Sequence, residues 1–375
     1  MNLCLFTPTF LPKIGGLEIA LDTLARRFQE RGHDVLVLAK TPRGRPVAPD
    51  LPYPVVYYPR HGSNVWSLGK AARALLAEHA KRRFDLVHAH MVYPAGYVAV
   101  SLRARLGVPV VITSHSADIT PGARFRRRWI PRRRMRWAMR RADAVTGVNR
   151  VLKEIIDEMT GGRANARMIP NGVTIPAGAG PDVPADLVDL AERPFLLALC
   201  RLHWIKGLDV LLRAVRRLRD EGRPACHLVI AGTGREEGRL RRMAGELGLA
   251  GAVRFVGAAV GDRKEWLLHH CRFLVHSSIS YEGLPLSILE AMAHGKSVVA
   301  TAIPGTLELV DDGVEGLLVP PSDPIALAEA IGRMHESRRD GRIEGFQRSA
   351  RRRAEGMSWD AVVDQYLALY EELPA

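Results

Sequence analysis

What most constrains this chain is an alternation that runs through it twice. In the first half, short apolar runs at 3–7, 35–39, 55–58, 86–88, 110–113 and 144–148 alternate with helical stretches. In the second half, runs at 195–200, 227–231, 254–257, 273–275 and 298–300 do the same. Strands alternating with helices argue a parallel, doubly wound sheet. In such sheets ligands sit beyond the carboxyl ends of the strands, so the residues to watch are those just after each run. A stretch rich in Pro, Gly and Ala, 174–184, separates the two alternations, as a domain boundary does. At 375 residues the chain has the length of two domains.

The stretch 280–301 has the most specific chemistry. A polar turn, Ser280-Tyr281-Glu282-Gly283, follows a strand and leads into a helix with Leu286, Leu289, Met292 and Ala293 on one face. Pro285 suits the first helical turn, where its missing N–H is no loss, and Gly295 stops the helix. The orphan N–H groups of a helix start favour a phosphate. Here they would come from Gly283, Leu284 or Leu286, because Pro285 has none to give. Glu282 lies at the mouth of the turn, and Glu290 about two turns into the helix. Carboxylates accept hydrogen bonds from hydroxyls, so the fitting ligand is a phosphate flanked by sugars.

Charge narrows the function classes further. Residues 1–172 hold 29 Lys and Arg against 12 Asp and Glu, whereas 173–375 hold 25 against 28, so the net +14 arises wholly in the first half. That asymmetry points to an anionic partner for one domain. Within it, 124–141 carries ten arginines among Phe125, Trp129, Ile130, Met135, Trp137 and Met139. Pro131 is expected to interrupt any helix there. Arginine mixed with tryptophan marks a segment lying on an anionic bilayer, with Arg126, Arg127, Trp129, Arg132, Arg133 and Trp137 as its contacts. Clamping of single-stranded nucleic acid is the less favoured reading, and a solvated helix face the plain one. No run of 18 apolar residues exists to span a bilayer, and Met1 to Phe10 reads as a first strand with no basic leader. Cys4, Cys200, Cys226 and Cys271 are far apart, each in or beside an apolar run, as reduced thiols in a cytoplasm would be.

Glu282 and Glu290, eight apart across a helix start, resemble the E-x7-E signature of glycosyltransferase family 4, retaining enzymes of the two-domain GT-B fold. Gly15-Gly16-Leu17-Glu18 resembles the family's G-G-x-E, and His115-Ser116-Ala117-Asp118 its H-G-x-D with Ser116 for glycine. Ile169-Pro170-Asn171-Gly172-Val173 is similar to its P-N-G-V. Arg201-Leu202-His203-Trp204-Ile205-Lys206-Gly207-Leu208-Asp209 resembles its G-R-L-x-x-x-K-G-x-D, with Cys200 for the first glycine. The resemblance implies two Rossmann-like, doubly wound α/β domains facing a cleft. Residues 1–173 would be the acceptor side and 174–357 the nucleotide-sugar side, with a last helix of about 358–375 crossing back. It implies that Arg201 and Lys206 neutralise a leaving diphosphate and that Glu290 binds ribose. Glu282 would touch the donor sugar, and His115 would face it. Gly15, Gly16, Gly232, Val256, Gly257, Gly283, Leu284 and Leu286 would line the donor site. His88 and His90 are expected as loop or cleft-wall residues. No metal and no cofactor are expected, since two fixed cations can stabilise the leaving group, and a UDP-sugar is favoured over a GDP-sugar as donor. A lipid-linked or cell-surface glycan acceptor, met on the cytoplasmic face of the plasma membrane, completes the reading. An epimerase of the same fold, a non-enzymatic anionic-surface binder and an NAD enzyme using the cluster 232–238 are the alternatives.

Overall fold

The computed structural model describes every residue except 14, 43–49, 60–63, 116–117, 124, 179, 224–226 and 375, and the side chains of 64–66. Ser116, Ala117, Arg124 and Cys226 therefore lie outside the described residues. The chain divides into two compact units, Met1–Gly172 with Trp359–Ala375, and Val173–Ser358.

The first unit is built on β1 (Asn2–Thr7), β2 (Asp34–Lys40), β3 (Val55–Tyr58), β4 (Leu86–His90), β5 (Val110–Ser114), β6 (Ala144–Gly147) and β7 (Ala166–Met168). The second is built on β8 (Phe195–Leu199), β9 (His227–Ala231), β10 (Val253–Gly257), β11 (Leu274–His276), β12 (Val298–Thr301) and β13 (Gly316–Val319). The sheet orders are β3-β2-β1-β4-β5-β6-β7 and β10-β9-β8-β11-β12-β13, with every pairing parallel. Helices cover both faces of such sheets, which is why central strands such as Leu3–Leu5 and Val110–Ile112 are apolar and buried throughout rather than alternating. Sequence periodicity missed β7 and β13, which are only three and four residues long.

Each order has a switch point where the winding reverses, between β1 and β4 in one unit and between β8 and β11 in the other. A crevice opens at such points, outside the strand ends. The C-terminal helix, Trp359–Glu371, belongs to the first unit. It packs Trp359, Val362, Val363, Tyr366, Leu369 and Tyr370 into the core that holds Leu3, Leu24 and Phe28. Gly172 of the Pro-Asn-Gly-Val stretch is explained by that packing: a Cβ there would come within 2.8 Å of the Trp359 Cα.

Pro131 does not interrupt the basic segment. A helix runs over Trp129–Met139 with Pro131 buried in its first turn, where no intrahelical N–H is needed. Cys4 and Cys271 are buried and Cys200 is half-buried. Burial pushes the Cys200 and Cys271 thiols up to about 12, so neither is a reactive thiolate.

Candidate active site

The loops after β8 and β11 meet at the switch point of the second sheet. After β8 the chain makes a single turn, Trp204–Lys206, capped by the His203 ring, whose Nδ1 accepts from the Ile205 N–H. Gly207 then takes a left-handed conformation (φ +58°), and a Cβ there would lie 2.1 Å from the Ser277 carbonyl oxygen. Both facts require glycine. Ser277 also donates its hydroxyl to the Lys206 carbonyl at 2.9 Å. The two loops are thus locked together, and Lys206 Nζ reaches Glu282 Oε2 at 2.6 Å.

Glu282 is held by three side chains. Besides Lys206, His276 Nε2 lies 3.1 Å from Oε1, and the Ser278 hydroxyl donates to the same oxygen. Burial alone would raise the Glu282 carboxyl. The nearby His276 and Lys206 overcome that and hold it well below the usual carboxylate range. Gly305 also serves this turn, since a Cβ would meet the Gly283 carbonyl oxygen at 2.4 Å. His276, Ser277 and Ser278 escaped the sequence reading because they follow an apolar run that looked only like a strand end.

The helix after the turn spans Leu286–Ala293, with no side chain capping it. Pro285 occupies the cap position rather than the first turn, and Leu284 is buried beside it. Glu290 therefore lies little more than one turn into the helix, not two. Its Oε1 is held at 2.7 Å by Lys264 Nζ from the helix Gly261–His270. No motif flagged Lys264. Its signal is weak, a lone lysine on a helix that begins four residues after β10.

Arg201 is exposed; burial lowers the nearby His203 ring, and the charges of Arg235, Arg201 and Lys206 lower it further. Arg235 itself lies 3.2 Å from His203 Nε2. Three cations thus gather round one loop. The glycines at 232 and 234 have a structural cause: Cβ atoms there would fall 1.9 Å from the Cys200 carbonyl oxygen and 2.1 Å from that of Leu202. They let the β9 loop press on the β8 loop. Val256 and Gly257 end β10, where the Val256 carbonyl accepts from Arg263 at 2.6 Å and Gly257 has φ +73°.

In the first unit, Gly15 precedes a helix, Gly16–Glu30, in which Glu18 is buried. Glu18 Oε1 accepts from Thr9 Oγ1 and from Lys13 Nζ, both at 2.6 Å. Its Oε2 sits 2.6 Å from where a Gly15 Cβ would be. The Gly-Gly-x-Glu stretch is thus a loop closed by its own carboxylate. His115 follows β5 and is half-buried, with Nε2 3.0 Å from Nδ1 of His90. His88 and His90 are not wall residues: they are buried at 0% and 1% exposure inside β4. His88 bonds the Tyr370 hydroxyl at 2.7 Å and Thr113 Oγ1 at 2.6 Å. Burial pushes His88 down to about 3 and His115 down to about 4, so both are neutral at pH 7. Asp118 clamps the two loops, taking Val92 N–H at 2.6 Å and the Ser114 hydroxyl at 2.8 Å.

The basic helix divides its residues unevenly. Arg127, Arg132 and Arg133 are exposed, as are Trp129 at 71% and Ile130 at 53%. Two expected contacts turn inward. Arg126 donates to the Ile119 carbonyl at 2.9 Å and pairs with Glu158, and Trp137 is half-buried, edge-on to Tyr97. Among the described residues no three His, Cys, Asp or Glu side chains gather to hold a metal ion, and no helix is long and apolar enough to cross a membrane.

Comparison with known proteins fits this geometry. The family described as Glycosyltransferase Family 4 matches residues 14–175, and Glycosyl transferases group 1 matches 193–337. A D-inositol 3-phosphate glycosyltransferase of Geodermatophilus obscurus is 31% identical over 396 residues, covering 95% of this chain and 84% of the relative. One of Salinispora tropica is 29% identical over 405 residues, covering 96% and 82%. Among solved structures, Anabaena HepE in complex with UDP and glucose has a TM-score of 0.81 at 21% identity, over 100% of both chains. Sucrose-phosphate synthase of Thermosynechococcus elongatus has a TM-score of 0.82 at 22% identity, over 99% of both.

Proposed function

The chain belongs to glycosyltransferase family 4, with the GT-B fold, and we propose that it transfers a sugar from a UDP-sugar to an anionic acceptor with retention of configuration. One observation carries the donor reading: Lys206 and Glu282 are paired at the switch point of the second sheet, beside an uncapped helix start and an exposed Arg201. A departing diphosphate gains negative charge, and Lys206 and Arg201 are fixed cations able to stabilise it without a metal. The paired Lys206 holds the Glu282 carboxylate charged, so it accepts hydrogen bonds from sugar hydroxyls. Glu290, oriented by Lys264, takes the ribose. The naming of UDP in the HepE complex supports that base.

The names of the relatives print a phosphorylated cyclitol as acceptor, and the excess positive charge of the first half suits any phosphorylated acceptor. Exposed Trp129 and Ile130 beside Arg127, Arg128, Arg132 and Arg133 favour one presented at an anionic membrane surface, on the cytoplasmic side. Lipid-linked or cell-surface glycans are acceptors of that kind. Screening UDP-, GDP- and ADP-sugars by thermal shift tests the donor, since a ligand at 100 times its Kd adds roughly 2.7 kcal/mol. Proton NMR of the product's anomeric centre tests retention. Co-sedimentation tests the surface: replacing Arg127, Arg128, Arg132 and Arg133 with Ser is expected to weaken binding to anionic vesicles roughly 10-fold or more while sparing UDP binding. Unchanged vesicle binding removes the membrane from the account, and free inositol phosphate as the efficient acceptor takes its place.

A further inference from the structure

His90 has no part in the function described so far, yet its environment is unusual. It ends β4, pairs in register with Thr113 of β5, and is 1% exposed. The His88 ring packs on one side of it at 4.2 Å between centroids, and the His115 ring lies nearly parallel to it at 5.3 Å and 25°. Its Nδ1 meets His115 Nε2 at 3.0 Å. Its Nε2 is buried and finds no partner among the described residues. The next residue, Met91, has φ +80°, a backbone cost that a side chain other than glycine bears only where the surroundings impose it.

Proton placement follows from these facts. All three rings are neutral, since burial lowers each of them. A neutral imidazole carries one N–H and one lone pair. If His115 donated from Nε2, His90 Nδ1 would have to be the bare nitrogen, and its proton would sit on Nε2 as a buried N–H without an acceptor. If His90 donates from Nδ1, only a bare lone pair is left at Nε2. Orphaned buried N–H groups are the rarer and costlier of the two. His90 is therefore the donor and His115 Nε2 the acceptor. The His115 proton then resides on Nδ1, a nitrogen with no hydrogen-bond partner among the described residues.

We propose that His90 is a positioning residue that fixes His115 as the Nδ1–H tautomer, so that His115 presents a hydrogen-bond donor, not a general base, to the substrate. The inference rests on the reading of His115 as a donor-sugar contact. Asp118 supports the arrangement by tying Val92, two residues after His90, to Ser114, the residue before His115. A donor at Nδ1 fits an oxygen of the sugar or of the departing phosphate. The proton of the acceptor hydroxyl must then leave by another route, since the only lone pair of His115 is already occupied.

Long-range ¹H–¹⁵N correlation on histidine-labelled protein reads the tautomer directly, with the His115 signal assigned by its loss in His115→Gln. The expected result is a neutral His115 protonated at Nδ1; a proton at Nε2 overturns the proposal. Kinetics supply the second arm. His90→Leu removes the donor and is expected to lower kcat/KM roughly 3–10-fold, the worth of one hydrogen bond between neutral groups. His90→Asn, whose amide N–H falls near the Nδ1 position, is expected to recover most of that loss. Thermal melts of both variants identify any loss due to unfolding, and equal losses in Leu and Asn at equal melting temperature contradict the proposal. A large effect of His115→Ala with none from His90→Leu also refutes it. No effect of His115→Ala instead removes the role of His115 in the reaction, while the tautomer measurement still decides the hydrogen bond.

Discussion

The two units share a parallel, doubly wound sheet but treat the polar residues at their strand ends in opposite ways. Along β4 and β5 the first unit gathers neutral groups beside the buried Asp118: His88, His90 and His115 are uncharged, and His88, Thr113, Thr146, Tyr366 and Tyr370 form a hydroxyl and imidazole network. The second keeps them charged: Lys206 with Glu282, and Lys264 with Glu290, each pair about one-tenth to one-fifth exposed. The lesson is that one fold supports two kinds of site. Neutral donors suit the orientation of a sugar. Fixed charges suit the stabilisation of a leaving diphosphate, where preorganised electrostatics contribute most.

The sharpest way to break this contrast is to remove the charge. Lys206→Ala is expected to lower turnover roughly 10²–10³-fold with a true acceptor. It also leaves Glu282 as a buried charge short of a partner, which costs about 3–5 kcal/mol of stability. The double change Lys206→Ala with Glu282→Gln is expected to recover stability without recovering the rate. Denaturant melts beside initial rates separate the two, and a rate loss below about threefold sinks the diphosphate role.

Glycines test the same contrast at the backbone. Gly207→Ala meets a left-handed backbone and a fixed carbonyl, and is expected to cost about 2–4 kcal/mol. Gly15→Ala meets only the movable end of Glu18 and is expected to cost about 1 kcal/mol or less. Urea midpoints of the two variants give the comparison, and equal losses contradict it.

Acid sharpens it further. A histidine whose folded value is lowered binds fewer protons folded than unfolded, so stability is full above about 6.5 and lost as pH falls toward the folded value. For His88 and His115, lowered to about 3 and about 4, the loss begins near pH 6.5, at up to about 1.4 kcal/mol per pH unit for each. The second unit has His335, lowered to about 4, while Glu282 contributes a loss only below the ordinary carboxylate range. Protection factors from hydrogen exchange, which remove the intrinsic pH dependence of the exchange rate, are expected to fall between pH 7.5 and 5.5 more in β4 and β5 than in β8 and β11. The smallest expected effect is that of a chelator. If Arg201 and Lys206 do the work of a metal, EDTA leaves the initial rate within about twofold. Loss of activity restored by Mg²⁺ or Mn²⁺ contradicts that.

Much of this was legible in the sequence, for physical reasons. Buried parallel strands need unbroken apolar runs, and loops that touch need glycine, so the parallel strands and Gly207 leave marks in the chain. Glu282 and Glu290 stood out as carboxylates flanking a helix start able to hold a phosphate, and Lys206 because its stretch resembles a motif of the family. Other features were invisible. Lys264, His276 and Ser278 act through contacts between loops distant in sequence. His90 looked like a loop residue because nothing local tells a buried imidazole from an exposed one. The inward turn of Arg126 and Trp137 depends on Ile119 and Tyr97, which no periodicity links to them. Gly232 looked like a donor-site residue because close approach to a ligand and close approach to Cys200 demand the same residue.

Calorimetric titration of UDP tests the central claim most directly: the charged switch point of the second unit, not the neutral strand ends of the first, holds the nucleotide. The account predicts that Lys206→Ala weakens UDP binding roughly 10–100-fold, as loss of a charged hydrogen-bond partner does. It predicts a smaller loss for Glu290→Gln and unchanged binding for His115→Ala. UDP binding that survives Lys206→Ala intact, or that is lost in His115→Ala, would contradict it.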